Sequence, residues 1–143
     1  MWQANTSTGK PNFAGGEGNC AAADQDICGW DYNGNTMNTD LLSPVFDLSM
    51  AGEATLSYIS AYNDFSSDDF DYCEVAISTN GGTSWTSLLL WQGVDHNAYG
   101  PGEVVTLDLS SYAGSIQTRL RFRYFAPDWD FWWMIDQVRV TRK

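Results

Sequence analysis

Residues 118–125 read TRLRFRYF, an alternation that leaves little freedom in how they fold. Successive side chains of a strand point to opposite faces, so Leu120, Phe122 and Tyr124 make one apolar row and Arg119, Arg121 and Arg123 a charged one. A helix would scatter both sets around its surface. The same two-residue period sets Leu56 and Tyr58 together in EATLSYIS, and Val105, Leu107 and Leu109 together in EVVTLDLS. No apolar stripe of helical period runs for a useful length, and turn-forming residues punctuate the runs. Strands are expected at 1–6, 19–25, 40–47, 53–62, 70–79, 84–91, 103–109, 117–126 and 132–141. In STNGGTSWT, Asn80-Gly81-Gly82 supplies the positive φ values of a tight hairpin, with Trp85 packed over the turn. The fold class is all-β: an antiparallel β-sandwich with jelly-roll topology, one domain spanning 1–143.

With 143 residues the chain can bury a real core. Eighteen Asp and Glu against seven Lys and Arg give a net charge of −11. That balance argues against nucleic acid, which needs a basic footprint, and against an anionic membrane surface. No apolar run is long enough for membrane insertion. The chain opens MWQANTSTGK, with Trp2 and Gln3 already strand-like. It reads as a module excised from a larger protein, with any export signal upstream. Cys20 and Cys28 bracket AAADQDI and are expected to pair as a disulfide, free thiols being the alternative; such a link contributes on the order of 2.5 kcal/mol. Cys73 keeps step with Val75 and Ile77 and is expected to be a buried thiol.

The last strand poses a question. In PDWDFWWMIDQVRV, strict alternation puts Asp136 on the face of Val138 and Val140. Those valines need a core, so Asp136 is expected to point inward, where a carboxylate must be paired or metal-bound.

The segments GNCAAADQDICG, NTDLLSPVFDLS, DFDYCEVAISTNGGTSWT, VTLDLSSYAG and LRFRYFAPDWDFWWMIDQVRVT occur here in the order found in one group of modules. Over residues 1–142 the chain resembles the MAM-like jelly-roll accessory modules of secreted bacterial enzymes. These include the accessory domains of immune-inhibitor-A-like metallopeptidases and the cleaved adhesin domains of gingipains. The resemblance implies a non-catalytic sandwich attached to a parent secreted enzyme, a secreted or cell-surface location, and structural Ca2+ with the residue matching Asp136 as a ligand. Asp71 falls inward with Cys73, and Asp24 and Asp26 lie in a segment able to fold back over the sheet. Ca2+ takes six to eight oxygens, and the want of His or thiolate clusters argues against zinc. The expected metal ligands are Asp24, Asp26, Asp71 and Asp136, the alternatives being pairing with arginine or strands read in the wrong phase.

Catalysis has little to stand on. His96, in GVDHNAYG, is the one histidine, and no Gly-x-Ser-x-Gly, His-Glu-x-x-His or phosphate-cradling loop occurs. YNDFSSDDFDY gathers Asp64, Asp68, Asp69 and Asp71, which could furnish a glycosidase pair, though a solvated or cation-binding loop explains it better. Loop aromatics are abundant: Trp30, Tyr32, Trp91, Tyr99 and Trp129 are expected to bind ligand. Rings beside Asp and Asn suit the apolar faces and hydroxyls of a polysaccharide, and equally a protein contact. Trp132 and Trp133 are expected to be core. The expected function is a calcium-stabilised module binding a polymer, carbohydrate first; a protein-contact or adhesin module and a purely structural domain are the alternatives.

Overall fold

The computed structural model describes residues 1–28, 36–64, 70–128 and 130–143, with the side chain of Cys28 left out. Its strands are β1 (Gln3–Ala4), β2 (Ala21–Asp24), β3 (Met37–Leu42), β4 (Ala54–Asn63), β5 (Tyr72–Ser78), β6 (Thr86–Gln92), β7 (Glu103–Asp108), β8 (Arg119–Ala126) and β9 (Trp132–Arg142). Each overlaps an expected run. Two antiparallel sheets form, one ordered β1-β2-β9-β4-β7 and the other β3-β8-β5-β6. Among the described residues the only helical pieces are three short 3₁₀ turns.

The inner faces of the two sheets make the core. β8 contributes Leu120, Phe122 and Tyr124, all buried, while its arginines face outward as the alternation requires. Opposite them stand Leu56, Tyr58 and Tyr62 of β4 and Trp133 and Ile135 of β9. Trp133 is fully enclosed, and its indole N–H donates to Ser60 Oγ at 2.9 Å, so the ring is buried without an orphaned donor. Cys73 and Val75 complete this layer, and the Cys73 thiol is free, as expected.

A second apolar layer covers the outer face of the five-stranded sheet. Trp132 and Met134 alternate with Trp133 and Ile135, so both faces of the first half of β9 are buried. The segment 13–20 lies over them with Ala14 and Cys20. Two glycines let the loop after β6 approach it. A Cβ on Gly102 would stand 2.6 Å from the carbonyls of Ala14 and Ser60, and one on Gly100 would stand 2.8 Å from the Phe13 carbonyl. Cys20 belongs to this layer as a free thiol, and burial pushes it up to about 11. The expected Cys20–Cys28 bond is thus not formed at Cys20, and the Cys28 side chain lies outside the described residues.

β9 departs from strict alternation. Leu56 pairs with Val140 and Ile59 with Asp136, so β9 uses one more residue than β4 over this stretch. Gln137 adopts φ 51, the left-handed conformation that lets a bulge absorb the extra residue. The bulge reverses the phase. Val140 packs on the core with Leu56, whereas Asp136 opposes the outward Ile59. The inward orientation expected for Asp136 is therefore wrong. The alternation was counted back from two valines across a bulge that the sequence does not mark.

Candidate cation and ligand sites

The four aspartates expected to share a cation lie in three separate places. Asp24 ends β2 and is fully buried, and Asp26 follows two residues on. Lys10 reaches both, with Nζ 2.8 Å from Asp24 Oδ2 and 3.0 Å from Asp26 Oδ2, and lies 4.9 Å over the Trp132 ring. The chain's own ammonium occupies the place of a cation there. Burial raises the Asp24 carboxyl, and the Lys10 bond offsets only part of that rise.

Asp136 sits under the 12–18 loop. Its Oδ2 accepts from Asn12 Nδ2 at 2.8 Å, and the same amide donates to the carbonyls of Gly16 and Gly18 at 3.3 and 3.2 Å. The Gly15 N–H donates to Asn12 Oδ1 at 3.0 Å and fixes the amide's orientation. A Cβ at Gly16 would collide with the Asp136 carboxylate, so only glycine permits this closeness. Three oxygens converge on one point, and a protein donor fills it.

Asp71 belongs to a different set. Just ahead of β5 it is 5% exposed, and it meets Asp64, at the end of β4, and Asp130, at the start of β9 and fully buried. One carboxylate oxygen from each lies within 4.8 Å of the others. Neutral groups donate to two of them. Tyr62 OH and Gly93 N–H reach Asp64 Oδ2 at 3.0 and 2.8 Å, and Tyr124 OH reaches Asp130 Oδ2 at 2.6 Å. Burial, then the Asp130 charge, pushes the Tyr124 phenol well above its ordinary range, so it stays a donor.

Neutral donors satisfy lone pairs but do not cancel charge. Two ionised carboxylates with oxygens within 4.8 Å of each other repel by roughly 3 kcal/mol or more at an effective dielectric of 20, and three make three such pairs. Lys10 holds Asp24 and Asp26, Arg121 holds Glu74, Arg123 holds Asp40, and Lys143 stands near Glu53. Arg119 and Arg142 donate to the carbonyls of Ser43 and Asp47. Arg139 is exposed on β9. An all-oxygen set with two buried carboxylates suits a hard cation, and this cluster can hold a metal ion.

Asp130 escaped the sequence reading because nothing along β9 marks it. The signal lies in the pairing of Asn63 with Trp132, which sets the end of β4 beside the start of β9. Asp64 and Asp71 were visible as an acidic cluster. Their convergence with Asp130 was not.

The expected ligand-binding aromatics divide similarly. Trp30, Tyr32 and Trp129 lie outside the described residues. Trp91 packs against the core with one face covered by His96, centroids 3.8 Å apart and planes 8° from parallel. His96 is itself held by Glu103 at 3.0 Å, which gives the single histidine a positioning task in the loop. Tyr99 is open, at 65% exposure. It stands edge-on to Phe13 and Trp132 at 5.9 and 5.4 Å, and Phe13 stacks on Trp132 at 5.5 Å. Lys10, the centre of the bridge to Asp24 and Asp26, lies 4.9 Å over the Trp132 ring of this aromatic group.

No protein-family model matches the sequence, and comparison with curated proteins finds no match. Among solved structures, the K1 cleaved adhesin domain of Lys-gingipain from Porphyromonas gingivalis W83 superposes with TM-score 0.66 at 22% identity, over 93% of this chain and 80% of that one. The K3 domain of the same protein gives 0.61 at 19% identity, over 98% and 90%. TmCBM61, solved with β-1,4-galactotriose, gives 0.58 at 8% identity, over the whole of this chain and 88% of that one. At such identities the likeness is one of fold, and the chain has the β-sandwich fold of these cleaved adhesin and carbohydrate-binding modules.

Proposed function

We propose that the domain is a non-catalytic, calcium-stabilised recognition module of a secreted or surface enzyme, and that its ligand is a carbohydrate. The observation that carries the reading is the Tyr99–Phe13–Trp132 group, an open ring backed by half-buried Phe13 and buried Trp132 beside charged side chains. Such a surface stacks on a sugar's apolar face and offers Lys10 and Asp26 to its hydroxyls. Support comes from TmCBM61, which has the same fold and holds a galactan oligomer. Calcium is the cation assigned to Asp64, Asp71 and Asp130. There it would neutralise the carboxylates and tie the end of β4 to the starts of β5 and β9.

Ring stacking contributes on the order of 1 kcal/mol per ring, so affinity in the micromolar to millimolar range is expected. Native electrophoresis through gels containing β-1,4-galactan, xylan, mannan or glucan tests this. At least one glycan should retard the protein, Tyr99→Ala should lose most of the retardation, and added salt should change little, since no cationic patch drives binding. If no glycan retards the folded protein, the carbohydrate reading fails and a protein-contact module takes its place. The three cleaved adhesin domains of Lys-gingipain with this fold favour that second reading.

A further inference from the structure

Lys10, Asp24 and Asp26 bring one amine and two carboxylates together beside Trp132. Nζ stands 2.8 Å from Asp24 Oδ2 and 3.0 Å from Asp26 Oδ2, so a single nitrogen meets both acids. The two acids are not equivalent. Asp24 is sealed, with 0% of its side chain exposed, whereas Asp26 is 34% exposed and Lys10 16%. The Trp132 ring lies 4.9 Å from Nζ, and Phe13 stacks on that ring at 5.5 Å, so aromatic surface closes one side of the group.

Burial works against both charges of the inner pair. It raises the Asp24 carboxyl and opposes the Lys10 ammonium, although the bonds to the two aspartates keep that ammonium above 10.5. A proton passed along the Lys10–Asp24 hydrogen bond leaves a neutral amine against a neutral acid, with a second carboxylate in contact with the same nitrogen. That is the set of groups an amide condensation needs: a nucleophile, an acid whose hydroxyl can leave, and a base to carry the proton between them.

We propose that Lys10 and Asp24 condense into an intramolecular amide, with Asp26 as the proton carrier. Lys10 Nζ hands one proton to the Asp24 carboxylate and attacks Cγ with the freed lone pair. The C–N bond forms, and one C–O bond of Asp24 breaks. Asp26 takes a second proton from Nζ and gives it to the departing hydroxyl, which leaves as water on the exposed side of the trio. Nζ keeps one hydrogen as an amide N–H, and Asp26 ends as it began. Free amines and acids do not condense in water, but groups held in contact reach effective molarities of about 10⁵–10⁸ M. The aromatic cover and the buried carboxyl then shield the product from hydrolysis. The ion pair is the reactant, and it sets the stability and titration of the unlinked domain. The new bond closes residues 10–24 into a ring and fastens the 13–20 segment over Trp132 and Met134.

Intact-mass spectrometry of the purified, reduced and denatured domain tests this. The wild type should weigh one water less than its sequence requires. Lys10→Arg, which keeps the charge but lacks the amine, should carry its full mass. Asp26→Asn keeps both partners of the bond and should form it about a hundredfold more slowly, with the circular dichroism unchanged. Cutting after Glu17 and Glu53 should release 1–17 and 18–53 from the wild type as one branched piece, and from Lys10→Arg as two. A wild type at its full sequence mass overturns the proposal, whatever the variants do. So does a missing water that survives in Lys10→Arg or maps outside these two pieces. Linkage at wild-type speed in Asp26→Asn overturns the three-residue mechanism. The mass is read without any ligand, so this proposal and the carbohydrate reading stand or fall separately.

Discussion

Lys10 decides whether Asp24 can remain a buried carboxylate. Removing one member of a buried pair strands the other, which costs about 3–5 kcal/mol. Because Lys10 keeps some exposure, Lys10→Met is expected near the low end, about 3 kcal/mol, in urea unfolding. Adding Asp24→Leu should recover most of that loss, since an apolar pair needs no compensation. If the single variant unfolds at the wild-type midpoint, the bridge carries no weight. Two groups also fix the alkaline limit. Burial pulls the Lys10 ammonium down, but its bonds to Asp24 and Asp26 win and hold it above 10.5, while burial lifts Cys20 from 9.0 to about 11. Both folded values exceed the unfolded ones, so their stabilisation is complete below the unfolded values and fades as pH rises through the folded ones. Melting temperature should therefore fall between pH 9 and 11, and Cys20→Ala should flatten the descent. Equal slopes for wild type and variant would remove Cys20 from this account. At this scale the sequence showed Cys73 and Asp71 facing inward, because unbroken alternation places both. It hid the destinations of Asp24 and Asp26, because the partner, Lys10, is brought to them by a loop and not by a period.

Strand by strand, the reading succeeded wherever a two-residue period met a turn signal. β8 is the clearest case, and the Asn80 hairpin forms as expected, with Gly81 and Gly82 at φ 72 and 105 and Asn80 Oδ1 accepting from the Ser84 N–H at 3.0 Å. Trp85 packs over that turn against Gly82. The failure at β9 has one cause, the bulge at Gln137, because a single inserted residue reverses every later side chain. Gln137 bears the strain of φ 51, so Gln137→Gly should stabilise the domain slightly, and Gln137→Val should destabilise it by about 1–2 kcal/mol. Chemical denaturation of the two variants checks this. If Gln137→Val unfolds at the wild-type midpoint, the bulge relocates, and with it the outward placement of Asp136.

For the whole molecule, the sandwich was legible and the cation site only half so. Two sheets enclose one core, and a covering loop builds a second apolar layer over the five-stranded sheet. Asp64, Asp71 and Asp130 arrive from the ends of different strands, at a point where the topology closes, and no local period brings such residues together. We propose that calcium neutralises this cluster and holds those strand ends together. A cation bound only by the native state stabilises it by mass action, about 2.7 kcal/mol at one hundred times Kd. The direct measurement is the melting temperature of the chelator-stripped domain as calcium is added, for the wild type and for Asp71→Asn. A rise of several degrees is expected that saturates with calcium, is reversed by EDTA, and is largely lost in Asp71→Asn. A wild-type melt that calcium and EDTA both leave unchanged, with no metal found by elemental analysis, would contradict it.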